Sequence, residues 1–215
     1  PSWFGCCDPA PHTRSGPRAT ARTTTRWMMR ARLNKVYHFL CRGAEFSEDR
    51  LHRYRLWRRW SNSPPLMVIG LNPSTADETI EDATVRRCIG YARLWGFGAL
   101  EMTNLYAYRA TAPKELWRYL RLPGQPMDQG LCNNVVLQKL AELVCRKDGA
   151  ILAAWGAGGA KYAMSSMRRA LLDSIQVPVA CLGLTRDGEP RHPLYLRLDT
   201  TPIPYLGDGG RLCRG

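Results

Sequence analysis

No stretch of this 215-residue chain reaches the roughly eighteen consecutive apolar residues that a membrane-spanning helix requires, so such a span is excluded. Paired C-x-x-C cysteines are also missing, although the chain holds eight cysteines. Its four histidines, His12, His38, His52 and His192, are scattered. A zinc ribbon or a dithiol redox motif therefore has no support, and no metal or other cofactor is expected. Acids are scarce at one end: residues 1–60 carry 13 Lys/Arg against four Asp/Glu, whereas residues 61–215 carry 18 against 14. The formal net charge of +13 is thus concentrated early in the chain. A mildly basic remainder is compatible with binding nucleic acid or phosphate but does not demand it.

What is present fits one soluble domain. The hydrophobic content of 45% is ordinary for a globular protein, and the length suffices to bury a core. Cys88, Cys132, Cys145 and Cys181 fall within predicted helices or a strand, so buried free thiols in a reducing cytoplasm are expected. Residues 1–43 read as an extension. Six arginines from Arg14 to Arg32 face a single acid, Asp8, and no secretory apolar core is present. A disordered basic arm, a targeting peptide, and sequence upstream of a start at Met28 or Met29 compete here; disorder or a non-native extension is the expectation. The domain is placed at residues 44–206, with 207–215 as a frayed tail. Monomers are expected.

Arg53–Trp60 alternates well enough for a strand. Either it is an antiparallel edge strand with solvated arginines, or it is a basic aromatic surface for a nucleic-acid backbone. From residue 66 the chain alternates strand and helix. Strands are predicted at Leu66–Leu71, Ala99–Leu105, Ala150–Trp155 and Val177–Leu184. The helix capped by Asp82 sets Val85, Cys88, Ile89 and Ala92 on one face, and Gly96 ends it. A short helix over 115–121 follows. Leu131–Lys147 is a helix with Val136, Leu140, Leu143 and Val144 facing in. A further one has Met164, Met167, Leu171 and Ile175 facing in. The pattern predicts an α/β three-layer sandwich with a four-stranded, mainly parallel central sheet and an N-terminal edge strand.

In a parallel sheet the loops after the strands share one edge, where ligands bind. Those loops hold Asn72, Ser74, Thr75 and Asp77; then Asn104, Tyr106, Tyr108 and Arg109; then Trp155, Gly156 and Lys161; then Arg191 and His192. Each has a plain structural role open to it, as a turn former, a helix cap or a core group. Gly156–Lys161 could hold a phosphate on backbone N–H groups, but it lacks the G-x-x-x-x-G-K-[ST] spacing of a nucleoside-triphosphate loop.

Five segments together resemble the domain-of-unknown-function 1643 family over roughly residues 50–200. They are Gly70–Asp77, Asp82 with Arg86-Arg87-Cys88, Thr103–Thr111, Ala154-Trp155-Gly156 and Arg191–Tyr195. More distantly, Gly70-Leu71-Asn72-Pro73 resembles the first motif of the uracil-DNA glycosylase superfamily, G-Q-D-P-Y-H or G-I-N-P-G. The likeness implies that Asn72 positions the attacking water and that Asn104 reads the base. Trp155-Gly156 resembles its L-W-G strand end. His192-Pro193 matches the start of H-P-S-P-L, whose His supports the leaving base. Ser74 and Leu194-Tyr195 depart from these motifs, and the stacking aromatic is open between Tyr106 and Tyr108.

The resemblance implies a uracil-DNA-glycosylase-like fold that binds a nucleobase or nucleotide in DNA and hydrolyses an N-glycosidic bond. Asn72, His192 and Asp77 are then the candidate catalytic residues. Ser74, Thr75, Asn104, Tyr106, Arg109, Trp155, Gly156, Lys161 and Arg191 are the candidate ligand-binding ones. Two alternatives stand: a nucleic-acid or nucleotide binding module without catalysis, and a hydrolase or transferase of a free phosphorylated ligand with Asp77 or Glu78 as base.

Overall fold

A computed structural model describes residues 38–123, 127–158 and 178–206. Contacts divide the chain into Pro1–His38 and Phe39–Gly215, and every element below lies in the second unit. The run Pro65–Gly70 forms β3, with all six residues buried, as expected of a strand covered on both faces. Ala99–Asn104 forms β4, equally buried. Glu101 is tolerated there because Arg55 donates to both its carboxylate oxygens, at 2.9 and 3.1 Å. Ala150–Ala153 (β5) and Val179–Cys181 (β6) complete a block in which β3 runs parallel to β4 and β5, and β5 runs parallel to β6.

The sheet is larger than the expected four strands. Its order is β1 (Cys41–Phe46), β2 (Arg53–Arg59), β4, β3, β5, β6 and β7 (Ile203–Leu206), with antiparallel strands on either side of the parallel block. On one side are Arg53–Arg59 (β2) and Cys41–Phe46 (β1), so β2 is interior and three residues of the expected extension are paired. On the other side is Ile203–Leu206 (β7). Neither outer strand carries its own pattern. β1 contains Gly43, under which the Trp57 ring packs so closely that a Cβ would meet Cζ2 at 2.3 Å. β7 contains Pro204. Such strands are specified by their neighbours rather than by propensity.

Interior placement changes the fate of the β2 arginines. Arg53 and Arg58 are among the largest fully buried side chains, neither solvated nor spread on a surface. Arg58 meets Glu81 at 2.7 Å and donates to the carbonyls of Trp57 at 2.8 Å and Asp77 at 2.6 Å. It pins the loop between β3 and the first helix.

That helix, α1 (Ala83–Leu94), buries Val85, Cys88, Ile89 and Ala92 as expected, with Tyr91 added. Asp82 caps it by accepting from the Val85 N–H at 2.8 Å, and Gly96 leaves it at φ +80°. Pro113–Leu120 forms α2 and Met127–Arg146 forms α3. The inner stripe of α3 is rotated from the expected one. Asn133, Leu137, Leu140, Ala141 and Val144 are buried, while Val136 and Leu143 sit at the boundary. The shift accompanies Asn133, a polar residue turned inward to donate to the carbonyls of Asn104 and Leu105. Cys132 and Cys145 are consequently exposed, and only Cys88 and Cys181 of the four expected buried thiols are buried.

Met67 and Ile69 pack with Leu116, Leu137, Leu140 and Val144 of α2 and α3. The β3–α1–β4 connection moves one way along the sheet, and the β4–α2–α3–β5 connection moves the other way past β3. Right-handed crossovers in opposite directions place α1 on one face and α2 and α3 on the other. No helix among the described residues is long and apolar enough to cross a membrane. The expected helix with Met164, Met167, Leu171 and Ile175, residue Lys161, residues 1–37 and the tail 207–215 lie outside the described residues.

Candidate functional site

β3 feeds a strand on one side and its neighbour β5 feeds β6 on the other, so their carboxyl ends meet at the topological switch point of the sheet. Connections diverge there and leave a crevice. The loops after β3 and β4 are zipped together across it. Leu105 N donates to Gly70 O, Tyr106 N to Leu71 O and Ala110 N to Pro73 O, each at 2.9 Å. Asn72 continues this zipper with its side chain. Its Nδ2 donates to Pro73 O at 3.0 Å and to Ala110 O at 2.7 Å. Two carbonyl acceptors fix the orientation of the amide, and among the described residues Oδ1 is its uncommitted end.

Asn104, the last residue of β4, is 2% exposed, and its Nδ2 has no hydrogen-bond partner among the described residues. A buried donor left this way costs about 1–3 kcal/mol, so the fold holds it at a stability cost. Its opposite number in the register is Gly70. A Cβ at Gly70 would come within 2.7 Å of Asn104 Oδ1, so the glycine makes room for the amide. Asn133 of α3 holds the same strand end by donating to Asn104 O at 3.0 Å and Leu105 O at 3.2 Å.

β5 stops at Ala153, two residues short of the expected end at Trp155, whose Nε1 donates to Glu189 Oε2 at 2.6 Å and whose ring meets Tyr205 edge-on. Gly156 follows at φ +71°, where a side chain would be strained, and a Cβ there would meet His192 Cβ at 3.2 Å. His192 precedes the 3-10 turn Pro193–Tyr195, and its Nδ1 accepts the Leu194 N–H at 3.3 Å. That bond places the proton of the neutral ring on Nε2. Burial pushes the imidazole below its ordinary value, more than the nearby Asp82 carboxylate raises it, so the ring is neutral at pH 7.

Asn72, Asn104 and His192, from three separate segments of the chain, line one cavity of about 420 Å³. Ser74, Trp155 and Gly156 line it too. The other expected site residues among the described ones do not. Thr75 is exposed. Asp77 closes its own turn, accepting from Thr79 N at 2.7 Å and Ile80 N at 2.8 Å; these bonds hold its carboxyl below the usual range. Glu78 pairs with Arg50 at 2.9 Å. Tyr106 packs edge-on against Trp117, and Tyr108 stacks on Tyr119 at 3.6 Å. Arg109 donates to Arg50 O at 3.2 Å and lies over the Phe46 ring. Arg191 is exposed and does not line the cavity.

Arg53, Asp82 and Tyr195 are among the lining residues that were not expected. Arg53 is 2% exposed, and its Nη1 donates to Ala76 O at 2.7 Å. Asp82 contributes a carboxylate beside its capping role. Tyr195, 81% exposed, stands at the cavity with its ring 5.5 Å from that of His192. Strand alternation gives no hint of a buried arginine, but the departure of Leu194-Tyr195 from the likened motif did mark Tyr195. Among the described residues no three His, Cys, Asp or Glu side chains are grouped to hold a metal ion.

A family described as "Protein of unknown function (DUF1643)" matches residues 53–194. The chain belongs to the DUF1643 family. The matched segment runs from the first residue of β2 into the 3-10 turn. It therefore contains every DUF1643 residue named above as lining the cavity, except Tyr195. Searches of curated proteins and of solved structures find no match to the chain.

Proposed function

We propose that the cavity receives the base of a nucleotide and hydrolyses its N-glycosidic bond, on a fold of the uracil-DNA glycosylase kind. The observation that carries this reading is that Asn72, Asn104 and His192 share one cavity. These are the residues that the distant resemblance singles out. Asn72 Oδ1 accepts a hydrogen bond from water and holds it under the anomeric carbon. Asn104 Nδ2 donates to an acceptor on the base edge, which relieves its own unpaired burial. His192 Nε2–H donates to the oxygen on which charge grows as the base leaves. The water oxygen bonds to the anomeric carbon, the C–N bond breaks with its electron pair on the base, and the water's proton passes to Asp82, the acid among the lining residues. An amide is a weak activator of water, so a damaged or otherwise activated base suits this site better than a normal one. Tyr195 at the mouth supplies the aromatic that can stack on the incoming base.

The experiment is base release, measured on duplex and single-stranded DNA and on free nucleotides carrying uracil, mismatched or modified bases. Release is expected from one of these with the wild type, and none with His192→Asn, which keeps an acceptor for Leu194 N–H. Binding of an oligonucleotide or nucleotide with no base release at any pH tested would leave a binding module in place of the enzyme. Asn72 and Asn104 favour that second reading to this extent: neither is itself a base.

A further inference from the structure

The Arg53 guanidinium does not belong to the glycosylase likeness, and its surroundings do not account for it. It is 2% exposed, yet among the described residues its guanidinium forms one hydrogen bond, to Ala76 O, and its buried Nε has no partner. No carboxylate among the described residues lies within ion-pair distance of it. Arg55 and Arg58 on the same strand, by contrast, each meet a glutamate directly. Burying a guanidinium without a carboxylate is costly unless something else supplies acceptors.

Arg53 shares the cavity with the first turn of α1, residues Asp82 to Val85. Asp82 satisfies the Val85 N–H. The N–H groups of Ala83 and Thr84 have no partner among the described residues, as the first turn of a helix leaves them. A buried cation and the positive end of a twelve-residue helix therefore line one cavity. Asp82 and, more weakly, Asp77 oppose this field, whereas Arg109 and Arg58 reinforce it. Burial pushes Arg53 down to about 10, which still leaves it charged at neutral pH.

We propose that Arg53 and the amino end of α1 form an oxyanion subsite inside the cavity, and that its ligand is the terminal phosphate of a free nucleoside monophosphate. A guanidinium so buried is out of reach of the phosphodiesters of a strand lying across the mouth. The anion must sit on the part of the ligand that enters. A volume of about 420 Å³ lies within the range of small-molecule sites and accommodates a nucleotide rather than a polymer. This inference rests on the nucleotide reading above and narrows it from a base in DNA to a free nucleotide.

Calorimetric titration of the full chain with inorganic phosphate, deoxynucleosides, their 5′-monophosphates and a single-stranded oligonucleotide without terminal phosphates tests it. The monophosphate should bind at least about tenfold more tightly than its nucleoside, and inorganic phosphate should compete with it. Asp82→Asn keeps the capping acceptor and removes the opposing charge, so it should tighten monophosphate binding several-fold. Arg53→Met should erase the preference for the monophosphate. Equal affinity for nucleoside and monophosphate overturns the inference even if Arg53→Met fails to fold, as does tighter binding of the oligonucleotide. Phosphate binding without any response to the base would instead sink the nucleobase reading and leave the oxyanion subsite standing.

Discussion

Asn104 and Gly70 set the trade between stability and binding at the scale of single residues. The Asn104 amide donor is buried without a partner among the described residues, a stability cost that the proposed ligand would offset. Asn104→Leu replaces that donor with an apolar group of similar size. Thermal unfolding of this variant should occur at or above the wild-type temperature, by up to about 1–3 kcal/mol of stability, while ligand binding disappears. A fall in stability would mean that Asn104 is a structural group. Gly70→Ala probes the same amide from across the register. The new methyl displaces the Asn104 Oδ1, the far end of a side chain, without demanding left-handed backbone. A loss of binding much larger than the loss of stability is the expected outcome, read by comparing the dissociation constant with the urea midpoint.

β2 is the element that the pattern of the chain describes least well. Its arginines look like an exposed charged strand, yet β1 and the β3–α1 loop cover them. Arg58 fastens that loop through Glu81 and the Asp77 carbonyl. Arg58→Met should cost about 3–5 kcal/mol, because it strands the partly buried Glu81 and frees the loop carbonyls. Hydrogen exchange should accelerate at Asp77–Asp82, within the described part of the chain, before it does in β3. Uniform acceleration across the sheet would show that Arg58 supports the core rather than the loop. On α3 the expected stripe is rotated and Asn133 turns inward, its amide reaching the end of β4. Hydropathy alone ranks an asparagine as outward-facing and cannot foresee the carbonyls that accept from it.

For the whole molecule, pH is the simplest lever on stability. Burial lowers both His52 and His192 in the folded state from their ordinary 6.5. Between the folded and unfolded values the unfolded chain binds more protons, so stability rises with pH there. Their contribution is complete above about pH 6.5 and is lost as the pH falls below it, until the folded rings themselves protonate. Urea unfolding measured across this range should show that slope, and His192→Asn should reduce it. An unchanged slope would mean that His192 is not held neutral by the fold.

The alternation of apolar strands and amphipathic helices determined an α/β domain by itself, because period-2 and period-3.6 burial are local properties of the sequence. The cap at Asp82, the stop at Gly96 and the segments holding Asn72, Asn104 and His192 were legible for the same reason. The parallel strand set was legible too, but not the seven-stranded sheet around it, since β1 and β7 borrow their structure from partners distant in the chain. Only the tertiary structure decided which polar residues meet. It turned Asp77 into a turn closer and placed Tyr106, Tyr108 and Arg109 outside the cavity. It also buried Arg53 beside the amino end of α1. Burial and the pairing of charges depend on neighbours brought together by the sheet, and those neighbours cannot be read from spacing along one chain.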